Sequence, residues 1–285
     1  MTESKGALLI AKNNGTVDYV KQAIFSAKRI KQYLDVPVSV ITDSHDYLLT
    51  EAGPDLFDKI IAVDYTASAT NIRNYFDGTM SKRQLPFKNS DRASAYQLSP
   101  YKETLLMDTD YIICSDILKN CFGSVSDIMA FDKSQDLAEF RDKFEFTRTS
   151  DQGIDFWWAT VVFFRKTLLT EIFFNLICFI EQQWDHYRDV YQINNPLFRN
   201  DYAFSIAIHI INGFSKGDIV QPLPGRHHYT LDRDVLEELN DDTLTILVEK
   251  ENYLGQYTAI TTQGVDLHVM NKFSLGRIID QEQAK

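Results

Sequence analysis

Cysteine is scarce, with three residues in 285, and Cys114, Cys121 and Cys178 show no paired metal-ligand spacing. Bridging two of them leaves one over, so a disulfide framework is not expected. Buried, chemically quiet thiols in a reducing compartment are. Basic residues are also in short supply, 29 against 40 acidic ones, for a net charge of -11. Non-specific binding to duplex phosphates calls for the opposite balance, although a local basic groove is compatible with it. Residues 1–6 are polar and lack the apolar core of a secretory signal. No uninterrupted apolar run approaches the ~20 residues a bilayer span needs. The longest apolar stretch, Leu168 to Ile180, is broken by Glu171 and Asn175. A soluble, cytoplasmic protein with no membrane span is expected. No G-x-G-x-x-G follows the first β-like run and no G-x-x-x-x-G-K-[ST] occurs anywhere. The classical dinucleotide site and the P-loop are therefore left without their motifs.

What is present suits one large α/β domain over 1–285, since 44% of residues are hydrophobic and 13% aromatic. Ala7–Ala11 is a continuous apolar run ending in Lys12-Asn13-Asn14-Gly15, which predicts a buried strand entering a loop. Val17, Val20, Ile24, Ala27 and Ile30 recur at helical spacing, with Thr16 as the expected N-cap. Val36–Thr42 and Lys59–Val63 read as further strands, ending at Asp43 and Asp64. Alternating strands and helices predict a mainly parallel sheet, in which ligands gather beyond the carboxyl ends of the strands. Ala11, Asn13, Asn14, Asp43 and Asp64 lie at those ends and are candidate nucleotide contacts; each of the polar ones is more often a turn former or cap, and only their convergence favours a ligand.

A short helix over Asp91–Leu98 is stopped by Ser99-Pro100, and a strand over Glu103–Met107 follows. That strand runs directly into Asp108-Thr109-Asp110, with Tyr111–Cys114 extended beyond. Two carboxylates one residue apart at the exit of an apolar strand suit a hard divalent cation, Mn²⁺ or Mg²⁺. Asp-x-Asp alone is a common strand end. Here Leu105-Leu106-Met107 leads in and Tyr111-Ile112-Ile113 leads out, and charge between two buried runs needs a compensating partner. Further on, 132–153 is highly charged and predicts a surface excursion or lid. Phe156–Phe164 predicts a buried strand, and Leu168–Trp184 and Asp201–Ile211 predict helices. Leu244–Val248, Tyr257–Thr262 and Val265–Met270 are candidate strands of an irregular, β-containing C-terminal part.

The segment Ser99 to Asp110 resembles the metal-binding stretch of the glycogenin-like and bacterial galactosyltransferase-like families of GT-A glycosyltransferases. Three later stretches resemble family segments in the same order. Asp155 to Val162 is similar to the strand that normally carries Asn-Ala-Gly-Val. Asn200-Asp201-Tyr202-Ala203 is similar to the Asp-Gln segment at a helix start, and Asp266 to Lys272 to the C-terminal His segment. The resemblance departs at Trp158, Thr160 and Tyr202, where the family has Asn, Gly and Gln, and no Pro-Trp follows Lys272. It implies a GT-A, Rossmann-like mixed sheet flanked by helices, with 1–114 as nucleotide-binding half and 115–285 as acceptor-side half. It further implies a nucleotide-sugar donor, UDP-sugar foremost, and transfer to an acceptor hydroxyl with retention. His268 becomes the expected third metal ligand and Lys272 an expected phosphate contact.

Within that expectation Thr109, Lys88 and Arg92 join the nucleotide-contacting candidates, because basic groups must hold phosphate oxygens. Asp201 is the candidate catalytic carboxylate, toward the donor sugar or as a base on the acceptor. His227 and His228 compete with His268 as the imidazole ligand, although Pro224-Gly225 before them predicts a surface loop. Trp157, Trp158 and Trp184 are candidates to stack on a sugar or base, although an indole in an apolar run is more often core. Three alternatives stay open, one of them a non-catalytic sugar- or protein-binding module that kept the fold, against which Asp108, Asp110 and His268 together argue. A sugar-phosphate nucleotidyltransferase shares a related sheet, but Asn13-Asn14-Gly15 is a poor version of its phosphate loop. The run Lys5 to Asp43 also resembles tailed-phage glycosyltransferases. The acceptor would then be a hydroxymethylated pyrimidine in DNA rather than a saccharide or protein, with Lys82, Arg83, Lys88 and Arg92 along a phosphate edge.

Overall fold

The computed structural model describes residues 5–63, 71–76, 82–88, 92–138, 146–150, 153–231, 233–249 and 255–284. Asp64 and Asp91 lie outside the described residues, as do 139–145 and 151–152 of the charged segment.

A seven-stranded sheet runs in the order Val220–Pro222, Ile128–Phe131, Trp158–Arg165, Glu103–Met107, Lys5–Ala11, Val38–Thr42, Lys59–Ala62. Only Trp158–Arg165 runs against the others. The expected mixed, mainly parallel sheet flanked by helices is therefore present. Its central strands are apolar on both faces, as parallel strands covered on both sides must be. Leu8, Leu105, Leu106, Val161 and Val162 are wholly buried. Helix Tyr19–Leu34 packs against the first two strands, while Leu168–Gln182 packs on Asn200–Ile211, which covers Trp158–Arg165.

Several boundaries differ from the expected ones for identifiable reasons. The first helix begins at Tyr19 rather than after Thr16, because the Asp18 side chain accepts the Lys21 amide and takes the capping role. The loop before it is pinned by Asn14, whose Oδ1 accepts from the Thr16 and Val17 amides. The helix after Arg92 is only one turn, Ala95–Leu98. The predicted long helix from Leu168 breaks at Gln183, and Trp184–Val190 forms a separate helix. Tyr111–Ile112 leaves the central sheet and joins a four-stranded one, in the order Tyr111–Ile112, Leu267–Val269, His227–Thr230, Ser134–Asp136.

That second sheet corrects two expectations. His227 and His228 lie in a strand rather than a surface loop, and His227 is fully buried. Its ring is stacked on Trp158, with centroids 4.2 Å apart, and neighbours Phe131 and Tyr229. The charged segment also begins with a strand, Ser134–Asp136, and contributes buried Leu137, Ala138 and Phe146 to the interior. The C-terminal part adds an antiparallel meander, Leu236–Asn240, Thr243–Glu249 and Tyr257–Gln263. Its buried Leu244 and Ile246 form a second core with Leu275 and Ile278 of the last helix, Lys272–Ala284. Among the described residues no helix is long and apolar enough to cross a membrane. Cys114, Cys121 and Cys178 are all free, and burial pushes the Cys114 thiol up to about 11 and Cys121 to about 12.

Gly6 marks the tightest approach in the central sheet. A Cβ there would lie 2.4 Å from Cζ of the Tyr101 ring, whose hydroxyl is 2.6 Å from Ser39 Oγ. Gly6→Ala must displace a buried, anchored ring, so we expect a loss of about 1–3 kcal/mol in urea unfolding. An unchanged midpoint would show that the ring yields freely.

Candidate active site

The site forms where Glu103–Met107 ends. The Asp108 amide donates to the Thr160 carbonyl at 2.9 Å, which ties the start of the Asp-Thr-Asp turn to the antiparallel neighbour strand. The first helix holds the turn from below: Ser26 Oγ donates to the Thr109 carbonyl at 2.7 Å, and Thr109 Oγ1 to Gln22 Oε1 at 3.2 Å. Thr109 is thus the buried pivot of the turn, and the two carboxylates project from either side of it. Asp110 is further fixed by Val269, whose amide donates to its carbonyl at 3.0 Å. The strand Leu267–Val269 pairs antiparallel with Tyr111–Ile112, and that register sets His268 opposite Tyr111 and beside the turn.

One oxygen from each of Asp108 and Asp110 and one ring nitrogen of His268 lie within 4.8 Å of one another. His268 Nε2 is 3.2 Å from Asp110 Oδ2, and its Nδ1 is 3.4 Å from Thr160 Oγ1. Burial pushes the imidazole down to about 4, against the opposing pull of Asp108 and Asp201. His268 is therefore neutral near pH 7 and keeps a lone pair for a ligand role. Two hard oxygens and an imidazole are a donor set that fits Mn²⁺ or Mg²⁺ with oxygen ligands from elsewhere.

Every carboxylate here has its own cation. The Arg92 guanidinium, 3% exposed, pairs with Asp108. The Lys272 ammonium contacts Asp110, and Arg199 pairs with Asp201 at 2.8 Å. All six line one cavity of about 340 Å³, along with His268 and Thr109. Burial pushes the Asp201 carboxyl up, but Arg199 and the Ala159 amide together outweigh it and hold it below the ordinary carboxylate range. The Ala159 amide donates to Asp201 Oδ1 at 2.9 Å. That bond ties the first turn of Asn200–Ile211 to the cavity wall at Ala159.

Other candidates fall elsewhere. Ala11 is fully buried in the core. Asn13, Asn14, Asp43 and Lys88 do not line the cavity. Asn13 Oδ1 accepts the Val20 amide, and Asn14 Nδ2 donates to the Pro86 carbonyl. Asp43 accepts from the Asn13 amide and pairs with Lys88 at 3.4 Å. These are the loop and cap roles that Asn and Asp commonly take. Of the four basic residues considered for a DNA edge, three have described side chains. Arg92 is buried, Lys88 is paired, Arg83 lies over the Phe273 ring at 5.9 Å, and the Lys82 side chain is outside the described residues.

The structure adds residues that sequence reasoning missed. Asn195, Leu197 and Arg199 reach the cavity from the loop before Asn200–Ile211. Only Pro196 and the polar cluster around it mark that loop in the sequence, and neither points to a ligand. Trp158 lines the cavity and also lies within an aromatic cluster with Phe146, Phe156 and His227. Tyr202 turns away from the cavity, stacking on Trp184 at 6.1 Å. Buried Trp158 Nε1, Asn200 Oδ1 and Arg92 Nη1, all on cavity-lining residues, have no hydrogen-bond partner among the described residues.

No protein-family model matches the sequence, and no curated protein matches it. Among solved structures the chain is similar to the galactosyltransferase LgtC in complex with donor and acceptor sugar analogs. That match has 14% identity, covers 76% of this chain and 72% of that one, and has a TM-score of 0.47. It is also similar to the glycosyltransferase GlyE of Streptococcus pneumoniae TIGR4, at 11% identity and a TM-score of 0.40, covering 78% of this chain and 45% of that one. Over GlyE the likeness thus spans less than half of the longer protein. At such identities and TM-scores it concerns the course of the backbone and carries nothing about ligands.

Replacing Asp201 with Asn keeps the shape and removes the charge that Arg199 balances. We expect a loss of about 2 kcal/mol near neutral pH, the scale of a hydrogen bond to a charged group. Because the folded carboxyl is depressed, this stability is present above the unfolded value and lost as pH falls through the folded one. The gap between Asp201→Asn and the parent should therefore close in acid, as measured by thermal unfolding across pH.

Proposed function

We propose that this chain is a metal-dependent glycosyltransferase of the GT-A type, moving a sugar from a nucleoside diphosphate donor to an acceptor hydroxyl. The observation that carries the reading is the convergence of Asp108, Asp110 and His268 in one cavity beyond the carboxyl ends of parallel strands. That is where open α/β sheets bind ligands. Asp108, Asp110 and His268 are the residues that would hold Mn²⁺ or Mg²⁺. When bound, the cation supplies Lewis-acid neutralisation of charge on the departing diphosphate.

The chain's own residues account for the rest. Arg92 and Lys272 place two cationic groups beside the carboxylates, where phosphate oxygens can be received. Arg92 Nη1, Trp158 Nε1 and Asn200 Oδ1 offer two donors and an acceptor, the mixed hydrogen bonding that sugar hydroxyls satisfy. Asp201 acts by holding the wall at Ala159. The site draws on 1–114 and on 115–285 together, which supports treating 1–285 as one functional unit. UDP as the nucleotide, retention of configuration, and a saccharide, protein or modified-base acceptor are carried over from the sequence resemblance.

Thermal unfolding with nucleotides tests the reading. UDP with Mn²⁺ at about a hundredfold over its dissociation constant should stabilise the fold by about 2.7 kcal/mol. UDP with a chelator should do far less. Asp110→Ala should fold and lose the Mn²⁺-dependent increment. An equal response to nucleoside triphosphates would move the assignment to a nucleotidyltransferase. Normal binding of UDP and Mn²⁺ by Asp110→Ala would falsify the central claim.

A further inference from the structure

The charges lining the cavity sum to zero in an unusual way. Asp108, Asp110 and Asp201 each pair with a separate cation, Arg92, Lys272 and Arg199. No carboxylate is left over to welcome a divalent ion, so the described site is already neutral.

The three pairs are not equivalent with respect to the candidate ligand atoms. Arg199 serves Asp201, which lies outside the three-residue cluster. Lys272 contacts Asp110 Oδ2, the same oxygen that lies 3.2 Å from His268 Nε2. Its ammonium therefore occupies the Asp110 oxygen that faces His268. Both side chains of the pair are largely buried, Lys272 13% and Asp110 6% exposed, so water screens their attraction poorly. Lys272 also begins the last helix, whose Leu275, Ile278 and Ile279 lie in the second core.

We infer that Lys272 is a tethered counter-cation that competes with the metal for Asp110, so that metal and diphosphate bind as a coupled pair. The inference rests on the metal-binding reading of this cavity. A divalent ion arriving alone must displace a buried ammonium and leaves two surplus positive charges. A diphosphate arriving alone brings negative charge beside three carboxylates. Together they nearly cancel, and the diphosphate offers the displaced ammonium a new partner. The same free energy appears in both affinities, because coupling between two sites is reciprocal. The ammonium has a second consequence: it protects Asp110 from standing as an unpaired buried charge when neither ligand is present.

The test compares the parent chain with Lys272→Met, which keeps length and apolar stem but removes the charge. Mn²⁺ binding is measured by electron paramagnetic resonance of the free ion, with and without saturating UDP. The parent should bind Mn²⁺ weakly alone and much more tightly with UDP. Lys272→Met should bind Mn²⁺ alone roughly tenfold more tightly than the parent, with a smaller gain from UDP. Circular dichroism and the thermal midpoint establish that the variant is folded. If Lys272→Met does not fold, Lys272→Gln is read by the same criteria. Mn²⁺ affinity that is unchanged or weaker in the folded variant without UDP overturns the competition. Failure of the parent to bind Mn²⁺ even with UDP instead overturns the metal-binding reading, so the two failures are separable.

Discussion

Asp110 stands at the end of a strand whose other side chains are nearly all buried, and Arg92 is buried beside the more open Asp108; burying charge without compensation is among the costliest things a fold can do. Much of the surrounding architecture answers that cost. Arg92 is carried in just before the one-turn helix to meet Asp108. The antiparallel strand Trp158–Arg165 supplies the Thr160 carbonyl to the Asp108 amide. The C-terminal strand and helix deliver His268 and Lys272 to Asp110. The single reversed strand in an otherwise parallel sheet is what lets residues near 160 lie against residues near 107. Its register brings Val161 opposite Met107.

The same accounting shows how the fold uses the other strand-end candidates. Asn13, Asn14 and Asp43 sit at strand ends, the expected region, yet their polar atoms are spent on loop and helix-start amides. Trp158 occupies a position where the resembled family carries a small amide. Here its indole is both cavity wall and part of an aromatic cluster with buried His227 beneath the metal-ligand candidates.

Much of this was legible in the sequence, unevenly. The parallel sheet followed from apolar runs alternating with helical periodicity, since both leave strong local marks. Asp108 and Asp110 were legible because apolar residues bracket them closely. His268 was readable only through the order of family-like segments, because nothing local to a three-residue strand betrays its partners. His227 was misplaced for the converse reason. Pro224-Gly225 signals a turn, but the four residues at His227–Thr230 are fixed by pairing with Ser134–Asp136, far away in the chain. Arg199 and Asn195 lie in an aperiodic loop, so their approach to the cavity is a property of the folded chain alone.

The distance in sequence between Asp110 and His268, 158 positions, has a bearing on how the protein comes into being. Translation adds about 5–20 residues per second. Many seconds therefore pass between emergence of the acidic turn and emergence of the imidazole and lysine that complete it. During that interval the sheet can collapse around Leu105 and Leu106 while Asp110 still lacks its cation. The acidic turn is thus synthesised well before the groups that neutralise Asp110. The pocket's charge balance therefore closes only when the last strand and helix, Leu267–Val269 and Lys272–Ala284, join the earlier sheet.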